Sequence, residues 1–225
     1  MKVQKVMRAT GEVLETKEMD MSVGEVVGKP FICVYGSVRP RKTEGLEILE
    51  KELASGLKAF VRFEVQQGAM NEIAGGGCGT FVATLDNLEK MGMDHEQVWE
   101  DAISNTKEKG FSMRTMNDYL YEFTGMRAGE ELNNVCIVKL NMHEMMFGAA
   151  VLAFPCMLDE IRGNIGDFII LPASIHEIIC LPVSLGDDIE GYKNMVKFIN
   201  ATEIAPDEKL SDDVYIYDSE GLHKG

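Results

Sequence analysis

The stretch Gly166 to Val183, GDFIILPASIHEIICLPV, restricts the fold more than any other part of the chain. Two short runs rich in Ile and Leu flank a polar break. Each run, Phe168 to Leu171 and Ile178 to Leu181, has the length of a strand and is too short and too β-branched for a helix. Pro172 and Pro182 lack the N–H that a ladder requires, so each belongs at the end of its strand. Ala173, Ser174 and Ile175 then carry the reversal. Along the second run Ile175, Glu177, Ile179 and Leu181 share one face, and His176, Ile178 and Cys180 share the other. Apolar groups on both faces predict a hairpin at the centre of a sheet, with a helix layer over one face.

The remaining elements follow from period and punctuation. Val3 to Met7 is expected as a strand followed by loops or a short helix, and Phe31 to Tyr35 as a strand between Pro30 and Gly36. Leu46, Leu49, Leu53 and Leu57 recur at helical spacing up to a stop at Gly56, which predicts an amphipathic helix. Ala59 to Gln66 alternates as a strand, and Thr80 to Leu85 is the next. Asp94 with Gln97 three residues on reads as a capping box for a helix reaching about Lys109. A short helix is expected within Met113 to Phe123, and strands or buried runs at Val135 to Leu140 and Gly148 to Phe154. Pro155 fits the first turn of a helix ending near Gly163. Asp187 or Asp188 can cap another through Ile189, Tyr192, Val196 and Ile199, and Leu210 to Asp218 alternates as a last strand. These elements predict an α+β fold: a mostly antiparallel sheet packed by helices at about 44–56, 94–109, 155–163 and 188–200.

Length and charge narrow the function classes. The 225 residues, 45% of them hydrophobic, suffice for a real core. A net charge of −15 opposes approach to phosphate backbones and anionic membranes, with Arg39, Arg41 and Lys42 as the one basic cluster that runs against it. The N-terminal residues lack the apolar core of a secretory signal. The longest apolar run, Phe147 to Leu158, is too short for a membrane span and is interrupted by Pro155. Cys33, Cys78, Cys136, Cys156 and Cys180 are odd in number and contain no CxxC, which reads as buried free thiols in a reducing cytoplasm.

The strings FGAAVLAFPCMLDEI, GDFIILPASIHEIICLPV, NMVKFINAT and KLSDDVYIYD carry a resemblance. Together they are similar to an uncharacterised domain-of-unknown-function family of small cytoplasmic proteins from anaerobic Gram-positive, Firmicutes-type bacteria. The matching positions are Gly148, Leu171, Pro172, Ser174, His176, Glu177, Asn200, Leu210, Ser211, Val214 and Tyr215. The likeness is strongest over the C-terminal part of the chain, thins through TFVATLDNLEKMGMDHEQVWEDAISNT and fades toward the N-terminus. It implies a family-like domain over 71–225, with 1–70 as an N-terminal segment or small module. No activity comes with it.

Candidate chemistry rests on a few residues, each with a plainer reading. His176 beside Glu177 invites metal or acid–base work, as do His95-Glu96 and His143-Glu144. A zinc protease needs HExxH, with a second histidine one helical turn on, and none of the three pairs supplies it. The plainer role for His176 is a hydrogen-bonded structural histidine at a strand entry. Cys78, in the bend Gly75-Gly76-Gly77-Cys78-Gly79, becomes a nucleophile only if amides and a cation lower its pKa. The bend has neither the Gly-Lys-Ser/Thr ending of a P-loop nor the full dinucleotide spacing. Met142, Met145, Met146, Met113, Met116 and Met126 are either an adaptable groove or, more simply, core filler. Asp207 to Asp213 reads as a solvated acidic surface with Ser211 capping a turn.

Three function classes follow. The first is a non-enzymatic interaction or accessory protein with a protein partner, no cofactor and no metal. The second is a hydrolase-type enzyme using Cys78, His143 or His176 with Glu177. The third, prompted by acidity alone, is a DNA-mimicking inhibitor.

Overall fold

A computed structural model of the chain describes residues 2–9, 12–20, 22–40, 43–69, 79–142, 146–172 and 174–225, with the backbone alone for 2–9 and 12–20. The chain divides into two compact units, one of 1–31, 46–49 and 61–105, the other of 32–45, 50–60 and 106–225.

In the first unit β1 (Lys2–Ala9) pairs antiparallel with β2 (Glu12–Asp20), the register slipping between Met7 and Arg8. The loop or short helix expected after the first strand is therefore a second strand before α1 (Val23–Val26). Its charge-rich sequence hides the strand period, and the partner strand supplies what propensity does not. β3 (Val27–Tyr35) and β5 (Leu57–Val65) run side by side, and residues 62–64 of β5 also pair with β6 (Thr80–Val82). The strand expected over Thr80 to Leu85 stops early because the Thr84 hydroxyl accepts the Asn87 N–H and starts α2 (Leu85–Met91), which Gly92 ends at φ 67°. α3 (His95–Lys107) starts where the sequence predicts, the Asp94 carboxylate accepting the Gln97 N–H at 2.9 Å, but the expected capping box is not closed, because the Gln97 side-chain amide donates to Asp101 Oδ1 at 2.9 Å.

The leucines at helical spacing are not on a helix: in the second unit β4 (Glu50–Ala54) folds back on the start of β5 through Ser55 and Gly56, with Glu50 opposite Phe60 and Lys51 opposite Ala59. Gly56 sits at φ 84°, so it ends no helix and instead makes a tight hairpin turn that β-carbon-bearing residues resist. Cross-strand pairing, with Lys58 on Glu50 at 2.7 Å, overrides the periodicity.

A six-stranded antiparallel sheet forms the body of this unit, in the order β12-β11-β9-β10-β8-β7. Its strands are β7 (Phe111–Thr115), β8 (Cys136–Leu140), β9 (Phe168–Leu171), β10 (Ile178–Pro182), β11 (Tyr215–Asp218) and β12 (Gly221–Lys224). The β9–β10 hairpin takes the two central places, with Leu171 ending its first strand and Pro182 its second. One cross-strand row runs Lys224, Tyr215, Ile170, Cys180, Cys136, Thr115, one residue from each strand. Residues in such a row share a face. On the opposite face Ile169, Leu171 and Val214 pack with Val196 of α6 (Ile189–Thr202), flanked by Ile179, Leu181, Ile189, Tyr192 and Ile216. On the first face Tyr217 reaches α5 (Pro155–Ile165), its hydroxyl donating to Asp159 Oδ1 at 2.8 Å. Both faces of the central strands are buried, as their sequence requires.

The expected helix within Met113 to Phe123 splits into β7 and α4 (Met116–Thr124), because the Thr115 hydroxyl accepts the Asp118 N–H and starts a helix there. Gly148–Ala153 is a buried 3-10 helix and no strand. Its run of small residues allows that tight coil beside β8. Cys33, Cys136 and Cys180 are buried, whereas Cys156, in the first turn of α5, is exposed. Among the described residues no helix is long and apolar enough to cross a membrane.

Candidate functional site

His176 stands in the connection between β9 and β10, where three chain segments meet. The backbone N–H of Phe147 donates to its Nδ1 at 3.2 Å, so this nitrogen carries a lone pair and the imidazole proton sits on Nε2. Nε2 faces Glu208 Oε1 at 3.5 Å, which is long for a hydrogen bond. The His176 N–H donates to Ser174 Oγ at 3.1 Å, and the Ile175 carbonyl accepts from Ala149. The Ile175 N–H donates to the Glu208 carbonyl, while Ser174 bridges to Lys209. Phe147 takes φ 59°, the only left-handed non-glycine among the described residues. That turn aims its N–H at the imidazole and brings Gly148 so close that a Cβ there would lie 2.3 Å from the His176 carbonyl oxygen.

The carboxylate beside the imidazole is thus Glu208 and not Glu177, which is half-buried one residue along. Sequence reasoning missed Glu208 because it lies in Asp207 to Asp213, read there as a solvated surface. That reading is corrected by the packing of the segment: Leu210 and Ser211 are buried, and the Ser211 N–H donates to the Pro172 carbonyl. Ser211 does cap a turn, its Oγ accepting the Asp213 N–H at 3.0 Å. Asn200, near the end of α6, donates to the Ser211 carbonyl at 2.9 Å and to Asp212 Oδ1 at 2.7 Å. The Tyr215 hydroxyl donates to the Ser55 carbonyl at 3.0 Å. Pro172, Ser174, His176, Asn200, Ser211 and Tyr215, all positions of the resemblance, therefore join one hydrogen-bonded seam between the hairpin, α6 and the 207–213 strap.

Chemically this seam suits support more than turnover. A general base must offer a free lone pair to substrate, and the Nδ1 lone pair of His176 already takes the Phe147 N–H. His95 and Glu96 lie in the first turn of α3. Cys78, most of its glycine-rich bend, His143 and Glu144 lie outside the described residues. Among the described residues no three His, Cys, Asp or Glu side chains group to hold a metal ion. A second imidazole–carboxylate pair, also unread from the sequence, joins His223 Nε2 to Asp218 Oδ2 at 3.1 Å across the β11–β12 turn.

A different kind of site lies at the end of α4. Tyr121 is 54% exposed, Phe123 70% and Met126 69%. Met146 is exposed as well, so for these two methionines the core-filler reading is corrected. Gly125, at φ 70°, ends α4 and turns the chain back. Buried Asn117 then clamps the loop: its Nδ2 donates to the Gly129 carbonyl at 3.0 Å and to Asn133 Oδ1 at 2.9 Å, and its Oδ1 accepts the Ala128 N–H at 2.8 Å. The Arg127 guanidinium lies 5.3 Å from the Tyr121 ring centre and bonds Asp118 Oδ1 at 3.0 Å. Arg114 on β7 pairs with Glu122 at 2.6 Å. Apolar side chains are thus held outward by a polar framework.

Residues 67–219 match a family described as a family of unknown function, DUF5688. No curated protein and no solved structure matches the chain.

Proposed function

Because the chain belongs to the family of unknown function that residues 67–219 match, we propose its role from geometry: it is a non-enzymatic accessory protein that docks a protein partner where Phe123 and Met126 are exposed at the C-terminal end of α4. The exposure of Phe123 in the last turn of α4 and of Met126 on the following loop, which Asn117 locks, carries this reading. Large apolar side chains clustered in water mark interaction surfaces, and aromatic, Met and Arg residues are the types that concentrate binding energy there. A loop already fixed in place loses little freedom on docking.

The resemblance supports a bacterial setting, among anaerobic Gram-positive species. The buried thiols Cys136 and Cys180 support a reducing compartment, the cytoplasm. Affinity capture from cells with the wild-type chain and with a Phe123→Ser, Met126→Ser double variant tests the assignment. A partner held by the wild type and lost from an equally stable double variant is the expected result. Equal recovery by both chains contradicts it.

A further inference from the structure

Cys136 and Cys180 are register partners across the β8–β10 ladder. Directly opposed residues of an antiparallel pair have Cα atoms about 4.5 or 5.5 Å apart and side chains on one face. Both separations fall inside the window of about 4.4–6.8 Å that a disulfide spans. The two thiols are buried, Cys180 at 0% exposure and Cys136 at 4%, in the innermost part of the sheet. We infer that Cys136 and Cys180 form a thiol–disulfide site, in which a small oxidised disulfide converts the two thiols into a cross-strand bond that pins β8 to β10.

Two features fit this assignment. Cys136 opens its strand and is the less enclosed of the two, with Sγ 4.0 Å from the Asn134 carbonyl, so it is the point of entry. Cys180 lies in the middle of β10 and resolves the adduct from within. Burial pushes both thiols up, Cys180 well above the ordinary range with Cys136 adding to the effect, which lowers their thiolate fraction and makes the exchange slow.

The Cys136 thiol gives up its proton and attacks one sulfur of a low-molecular-weight disulfide, releasing one thiol and leaving a mixed disulfide. The Cys180 thiol gives up its proton and attacks Cys136 Sγ, releasing the second small thiol. The protein loses two electrons and the small disulfide gains them.

The test uses the full chain, folded, incubated with oxidised glutathione, then denatured, alkylated, digested and weighed. The expected result is one linked species joining the Cys136 and Cys180 peptides, absent after dithiothreitol treatment. A Cys180→Ala variant is expected to accumulate glutathione on Cys136. The oxidised wild type is expected to melt several degrees higher than the reduced protein, since a bridge between distant residues restricts the unfolded chain. Full alkylation of both cysteines after incubation, or a bridge from Cys136 to Cys156 instead, overturns the assignment.

Discussion

The N–H of Phe147 and Nδ1 of His176 lie 3.2 Å apart, and this single bond fixes both the tautomer of the imidazole and the left-handed turn that delivers the N–H. Replacing His176 by Ala removes the acceptor from a part-buried N–H, a loss of about 1–3 kcal/mol. His176→Asn places an amide oxygen near the position of Nδ1 and is expected to retain part of that stability. Thermal unfolding of both variants checks the order, with Ala the less stable.

Gly148 makes the same contact from the other side. A Cβ there would meet the His176 carbonyl oxygen at 2.3 Å and Lys139 Cβ at 2.6 Å, both on packed backbone or strand. Gly148→Ala is expected to destabilise by about 2–3 kcal/mol, as overpacked sites do. Denaturant unfolding with an unchanged slope and a lowered midpoint is the expected reading.

Asn200 joins α6 to the 207–213 strap through two donated bonds from one buried amide. Asn200→Leu leaves the Ser211 carbonyl and Asp212 without their donor, and is expected to lose about 1–3 kcal/mol. Hydrogen exchange is expected to quicken at Ser211 and Asp213 before it changes in β9 or β10.

The C-terminal hairpin titrates in a direction set by Asp218 and His223. The Asp218 hydrogen bond holds the His223 pKa above its ordinary 6.5. The Glu220 N–H, and then His223, hold Asp218 below its ordinary 3.8. The His223 contribution is complete below pH 6.5 and fades as pH rises through its raised value. The Asp218 contribution is complete above pH 3.8 and fades as pH falls through its lowered value. The pair therefore supports the β11–β12 hairpin most between about pH 4 and 6.5. His223→Gln is expected to flatten the alkaline side of the stability profile, and high salt to weaken the effect of this partly exposed pair.

Much of this architecture is legible in local sequence. Pro172 and Pro182 bound the central hairpin, Asp94 starts α3, Pro155 starts α5 and Asp188 starts α6, because each acts through its own backbone within a turn. The failures share another cause. Leu46, Leu49, Leu53 and Leu57 keep helical spacing, yet their segment is claimed by pairing with β5, a contact that periodicity does not encode. Glu208 reaches His176 through a strap that Ser211 and Asn200 hold inward, and the loop that carries exposed Met126 is fixed by the Asn117 clamp. Each is a tertiary relationship between residues that look ordinary where they stand.

The central claim, that His176 is an architectural residue, is tested most directly by nitrogen-15 NMR of its side chain, before and after zinc is added. A proton on Nε2, with Nδ1 accepting from the Phe147 amide and signals unmoved by zinc, is the predicted result. A ring protonated at Nδ1, or nitrogen shifts that move on zinc addition, would contradict it.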